Sequence, residues 1–184
     1  MQALSKDIIQ RCREGDRGAF RLLVQQYQRM LFSLAIKLLG DEEEAKDAVQ
    51  DAFVRIWMQI RQYDGRAGLS TWIYTIASRI CLDRLRQMKR MVPLPEDEEV
   101  IRDFCSQGNL QRQLENREWV SIVRVMAEGL SEKQRLVFTL SQLEGMDNTE
   151  IALITGLDAT QIKSNLYVAR NTIKERLKRL GYEE

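Results

Sequence analysis

Lys163, Tyr167, Arg170, Lys174 and Lys178 recur at steps of four, three, four and four residues, so on a helix four cations and a phenol project from one side. From Lys163 to Arg179 six basic residues stand against one acid, Glu175. A stripe of that density neutralises phosphates, the chemistry that gives a protein most of its affinity for nucleic acid. The opposite register, Ile162, Leu166, Ala169, Ile173, Leu177 and Leu180, is apolar and predicts a face buried against a neighbouring helix. Cations near a helix C-terminus also complement the macrodipole, so the stripe alone fits an ordinary solvated face as well. Its position decides between the two, because it follows a short helix beginning at Asp147 and a stop at Gly156.

Asp147 with Glu150, and Asp158 with Gln161, each place a short polar cap three residues ahead of an acid or amide, the pattern that closes a helix start. Residues 147–179 therefore read as a helix-turn-helix. Its second helix would enter the major groove by its N-terminal part, bringing Thr160, Gln161, Lys163, Ser164 and Tyr167 nearest base edges or flanking phosphates. Gln161 can pair with adenine, Ser164 with several partners, and Lys163 with guanine or with phosphate only.

Two further clusters exceed what folding requires. Asp47 and Asp51 sit at i and i+4 beside Gln50 and Val54, a like-charge spacing that costs an isolated helix roughly 0.2–0.5 kcal/mol, offset in part by Arg55. Such a patch suits docking to a basic partner. Farther on, Arg79, Arg84, Arg86, Lys89 and Arg90 outnumber the single Asp83, and with Tyr74 and Trp72 nearby they suit a nucleic-acid strand. Trp72 itself falls on the core register. The preceding loop carries Tyr63, Gly65 and Gly68, an aromatic surface and a close-approaching backbone that fit an unstacked base.

The elements that must position these clusters are all helical. Leu4, Ile8 and Cys12 mark a first helix ending near Gly15, and Phe20 to Leu38 a second ended by Gly40. Asp41 with Glu44 opens a third, and Ser70 is expected to cap a fourth. Pro93, Pro95 and the run EDEE break the pattern. Helical periodicity resumes from Leu110 to Met126, stops at Gly129, and restarts with Ser131 and Gln134 as a capping box. The expected fold is all-α, with two small helical domains, 1–91 and 110–184, joined by a flexible acidic linker, 92–109. The charge is uneven in the same sense: residues 1–90 carry net +5 and residues 91–118 net −4.

At 184 residues and 44% hydrophobic, the chain has material for real cores. It has no histidine, and Cys12, Cys81 and Cys105 lie far apart without C-x-x-C spacing. Nucleophilic triads, zinc sites and a disulfide framework are therefore not indicated, no metal or cofactor is expected, and an enzyme is the least favoured class. No apolar run reaches the length of a membrane span, which with the reducing-compartment cysteine pattern suggests a cytoplasmic protein without membrane insertion.

Four segments in order, DAVQDAFVRIW (47–57), STWIYTIASRICLDRLR (70–86), LSEKQRLVFTL (130–140) and EIALITGLDATQIKSNLYVAR (150–170), resemble the bacterial sigma factors of the extracytoplasmic-function group of the sigma-70 family. The resemblance spans nearly the whole chain and implies a transcription initiation factor. It implies that Asp47, Gln50, Asp51 and Val54 dock on the clamp helices of the largest subunit of core RNA polymerase, with the flap region as a second contact. It implies that the loop from Tyr63 and the fourth helix, with Tyr74, Arg79, Asp83, Arg86, Lys89 and Arg90, hold the melted minus-ten strand of promoter DNA. The minus-thirty-five element would fall to Thr160, Gln161, Lys163, Ser164, Tyr167, Arg170 and Lys174, and a separate anti-sigma inhibitor is expected to cover these surfaces. Arg79 stands where relatives often carry asparagine, so a relative's promoter sequence does not transfer. The competing expectation is a stand-alone helix-turn-helix regulator that binds duplex DNA as a dimer, which predicts a symmetric site.

Overall fold

Capping chemistry decides where most of the helices begin. In the computed structural model, which describes residues 4–91 and 129–179, Ser5 accepts a hydrogen bond from the Ile8 amide to open α1 (Lys6–Arg13). Asp16 accepts from Gly18 and Ala19 to open α2 (Arg17–Leu39), and Asp41 accepts from Glu44 to open α3 (Glu42–Gln59). A 3₁₀ turn (Ile60–Gln62) and a loop lead to α4 (Leu69–Met91). After residue 129 come α5 (Glu132–Phe138), a π-helical turn (Thr139–Leu143), α6 (Asn148–Thr155) and α7 (Ala159–Arg179).

All three expected capping boxes close in both directions: Ser131 with Gln134, Asp147 with Glu150, and Asp158 with Gln161. Asp147→Ala removes one such acceptor, and urea unfolding is expected to show a loss of about 1 kcal/mol. Gly40 and Gly156 end α2 and α6 at φ 68° and 72°, the left-handed conformation in which a Cβ is strained.

Ser70 is a correction. Helix α4 starts two residues earlier than a Ser70 cap would place it, with the Trp72 amide donating to the Gly68 carbonyl at 3.0 Å and Leu69 already burying its side chain as a helical residue. The Ser70 hydroxyl instead lies 3.3 Å from that of Tyr27 on α2.

Helix α2 is the central post of the first unit. Its Leu23, Leu31, Leu34 and Leu38 are buried to within 1% of full occlusion and pack against α3 and α4. On α3 the contacts are made by Ala45, Ala48, Ala52 and Ile56, and on α4 by Ile73, Ile76, Ala77, Cys81 and Leu85. Burial pushes the Cys81 thiol up to about 12, which makes it packing material and not a nucleophile. In the second unit α7 lies against α5 and α6 and buries Ile162, Leu166, Ala169 and Ile173, as its apolar stripe requires. The side chain of Leu177, all of Leu180, the expected linker 92–109, Cys105 and the expected helix from Leu110 to Met126 lie outside the described residues.

The two units are packed together. One continuous apolar cluster runs from Leu23, Leu34 and Ile73 of the first to Leu136, Val137, Leu140, Ile151, Ile154, Ile162 and Leu166 of the second. Helix α4 is the main bridge, lying against α6 and touching α5. Among the described residues no helix is long and apolar enough to cross a membrane.

Candidate nucleic-acid interface

Helix α7 turns the expected residues outward. Thr160, Gln161, Lys163, Ser164, Tyr167, Arg170 and Lys174 are all exposed, Tyr167 by 69%. The turn that aims them is built locally. Thr155 donates its hydroxyl hydrogen to the Ile151 carbonyl at 2.6 Å and accepts from the Leu157 amide at 3.2 Å, just ahead of the α7 cap. Gln161 differs from expectation in one respect: its amide oxygen accepts from the Asp158 amide at 3.1 Å. Bidentate pairing with adenine needs that same oxygen to accept from N6–H while the NH₂ donates to N7, so reading adenine competes with the cap. Lys163, Ser164 and Arg170 carry no such commitment to a cap.

On α3 the residues Asp47, Gln50, Asp51 and Val54 are exposed together. The repulsion between the two aspartates is answered by a cation 33 residues farther along the chain. Arg84 of α4, with only 20% of its side chain exposed, donates to Glu44 and to Asp51 at 2.7 Å each and lies 3.8 Å from Asp47. It is thus withdrawn from the basic set of α4 and fixes the carboxylates of α3. Sequence spacing gives no signal for this role, since the partners meet only when α3 packs on α4. Val54 and Met58 continue the exposed stripe as apolar surface.

The α4 set divides. Arg79, Asp83 and Arg86 are exposed at i, i+4 and i+7, one face of the helix. Arg86 donates to Asp83 and, across the units, to Glu132 of α5, both at 2.8 Å. Tyr63 is a correction: it is 8% exposed, its hydroxyl donates to the Ala67 carbonyl at 2.7 Å, and its ring lies 5.3 Å from that of Trp72. Burial raises its phenol above the ordinary range, and its role is to tie the loop rather than to offer a stacking surface. Tyr74 is a second correction, 7% exposed with its hydroxyl donating to Glu144 Oε2 at 2.8 Å. Burial, then the neighbouring Glu144 carboxylate, pushes that phenol far up. The side chains of Lys89 and Arg90 lie outside those described.

Lys37, Glu132 and Glu144 were not legible as interface residues. Glu144 follows the π turn, whose wider hydrogen bond runs from Glu144 N to Thr139 O at 3.0 Å, and beyond it the Met146 amide donates back to the Leu140 carbonyl at 3.0 Å. From there it reaches both Tyr74 and Lys37 of the first unit.

A helix-turn-helix with an outward basic helix, behind a four-helix unit with an acidic face and a basic face, matches two family models. Residues 23–91 match Sigma-70 region 2 and residues 121–173 match Sigma-70, region 4. The chain belongs to the sigma-70 family. Its relatives place it in the extracytoplasmic-function group: it is 26% identical to the ECF RNA polymerase sigma factor SigW of Bacillus subtilis, over 98% of this chain and 100% of that protein. It is likewise 26% identical to the ECF RNA polymerase sigma-E factor of Escherichia coli, over 97% of each chain. Two solved structures share the fold. CnrH in complex with the cytosolic domain of CnrY gives a TM-score of 0.68 at 21% identity, covering 94% of this chain and 96% of that one. The sigma factor RpoE in complex with the anti-sigma factor NepR from Bartonella quintana gives 0.62 at 23%, covering 86% and 96%.

Proposed function

We propose that this protein is a transcription initiation factor that binds core RNA polymerase and directs it to promoters through minus-ten and minus-thirty-five DNA elements. The observation that carries the reading is the presence, on one chain whose two parts match sigma-70 regions 2 and 4, of two separate exposed basic faces and one exposed acidic-apolar face. Asp47, Gln50, Asp51 and Val54 meet the clamp helices of the polymerase. Arg79, Asp83 and Arg86, with Lys89 and Arg90 farther along α4, take the opened minus-ten strand, where guanidinium groups meet phosphates and bases at close range. The exposed face of α7 takes the minus-thirty-five duplex, with Lys163, Ser164 and Arg170 foremost and the flap region of the polymerase supporting this unit.

The division of the chain into 1–91, a linker 92–109 and 110–184 follows from this assignment. The protein performs no catalysis; the bond-making belongs to the polymerase. It works in the cytoplasm and is held in check by an anti-sigma protein, a reading supported by the structural relative RpoE of Bartonella quintana, which is named in complex with the anti-sigma factor NepR. A dimeric regulator is disfavoured by the whole-length match to sigma factors.

Transcription reconstituted from core polymerase, genomic fragments and this protein, with start sites mapped, tests the reading. New, protein-dependent start sites are expected; a symmetric footprint by the protein alone, with no effect on the polymerase, would overturn it. Lys163→Ala should weaken promoter binding uniformly across sequences and reduce the salt slope by about 0.9, the signature of one lost phosphate contact. A loss confined to one base position would instead show that Lys163 reads sequence.

A further inference from the structure

Helix α2 carries no Asp or Glu from Arg17 to Leu39, whereas α3 opens on three acids, Glu42, Glu43 and Glu44. Its first cations run against the helix dipole. Arg17 is the first helical residue and Arg21 stands one turn on, at the end where partial positive charge gathers and acids, not bases, stabilise. The acids nearby do not answer them. Asp16 accepts from the Gly18 and Ala19 amides through one oxygen and from the Arg11 guanidinium through the other, and Glu14 accepts from Gln10 at 2.8 Å. Among the described residues Arg17, Arg21 and Arg29 enter no ion pair. Folding therefore does not account for these three cations.

Arg17, Arg21, Gln25, Gln28 and Arg29 are all exposed, and on a helix they fall within about a third of its circumference. Leu22, 43% exposed, borders them. At about 1.5 Å per residue Arg17 and Arg29 stand about 18 Å apart along the axis, the length of about five phosphates of one strand at about 3.4 Å each. A guanidinium presents a planar fork that fits a phosphate, and a glutamine amide donates to phosphate oxygens as well. Cations set along one line, with neutral donors between them, favour a polyanion of fixed repeat over the scattered carboxylates of an acidic protein. We propose that the outer face of α2 is a further nucleic-acid site, in which Arg17, Arg21 and Arg29 grip phosphates of one strand with Gln25 and Gln28 between them. The site goes beyond the function proposed above, in which α2 makes no contact with DNA.

The test uses the full chain and two fluorescein-labelled probes of one mixed sequence, a short single strand and the matching duplex, titrated by anisotropy over a range of salt concentrations. Arg17→Gln, Arg21→Gln and Arg29→Gln, combined in one chain, should reduce the salt slope by about 2.1 on the strand or about 2.7 on the duplex, from about 0.7 and about 0.9 per lost phosphate contact. The α7 face is intact in this variant, so the difference belongs to α2. A fall on either probe supports the site, and the probe that responds says whether single or paired nucleic acid is held. Lys133→Gln, an exposed position on α5, removes one charge away from both α2 and α7 and controls for net charge. Slopes unchanged on both probes overturn the site, and so does a fall with Lys133→Gln as large as that with Arg21→Gln alone. Because the first two arginines oppose the dipole, the triple variant should unfold in urea at or above the native midpoint. Should it lose helix content instead, Arg21→Gln alone decides: a slope smaller by about 0.7 to 0.9 upholds the site, and an unchanged slope overturns it. None of these measurements involves polymerase. Failure of the native chain to direct initiation would strike the proposed function and leave this site standing, whereas unchanged slopes with initiation intact would strike this site alone.

Discussion

Asp51→Arg is expected to weaken association with core RNA polymerase by about a hundredfold or more, because a like charge set against a complementary partner surface costs several kcal/mol and each 1.4 kcal/mol is a factor of ten. Asp51 is exposed beside Asp47, Gln50 and Val54, so the reversal falls in the middle of the proposed docking face. The structure also says what the change does at home. Arg84 loses its partner at position 51 but keeps Glu44 at 2.7 Å, and α3 retains its buried Ala48, Ala52 and Ile56. Far-UV circular dichroism should therefore stay native while co-elution with the polymerase on gel filtration disappears. Co-elution at the native level would remove α3 from the interface.

Leu140→Ala should cost about 2–5 kcal/mol of stability, the usual range for emptying a fully enclosed leucine site. Leu140 has no exposed surface and belongs to the cluster that joins the two units. Because that cluster is continuous, urea unfolding followed by fluorescence of the tryptophans, two of which (Trp57 and Trp72) lie in the first unit's described helices, should shift to lower denaturant along with the circular dichroism. A tryptophan transition left in place while helix signal falls in a separate, earlier step would show that the units unfold independently and share no core.

Much of this molecule is legible in its sequence because helix signals are local. The capping boxes at Ser131, Asp147 and Asp158, the stops at Gly40 and Gly156, and the buried register of α7 all depend on residues within one or two turns of each other. The outward set on α7 follows from the same periodicity, and so does the stripe from Asp47 to Val54. What escapes is whatever depends on helices meeting. Arg84 counts as one more cation in a basic run until α4 lies on α3, and Tyr74 as an available ring until Glu144 arrives from 70 residues away. Ser70 fails as a cap for a related reason: the apolar Leu69 gains more from burial than the hydroxyl gains from capping, and local preference yields to packing. The association of the two units is the largest such effect, since complementary apolar faces on α4 and α6 cannot be paired by spacing alone.

The knot tied by Tyr63 has a kinetic meaning. A chain segment that must organise itself around an incoming strand loses conformational freedom at that moment, and the encounter is slowed and weakened accordingly. Here the phenol anchored on Ala67, with Trp72 beside it, gives the bend ahead of α4 its contour while the polypeptide folds. If this bend takes the opened strand, as the resemblance implies, the bases would meet a mould already cast.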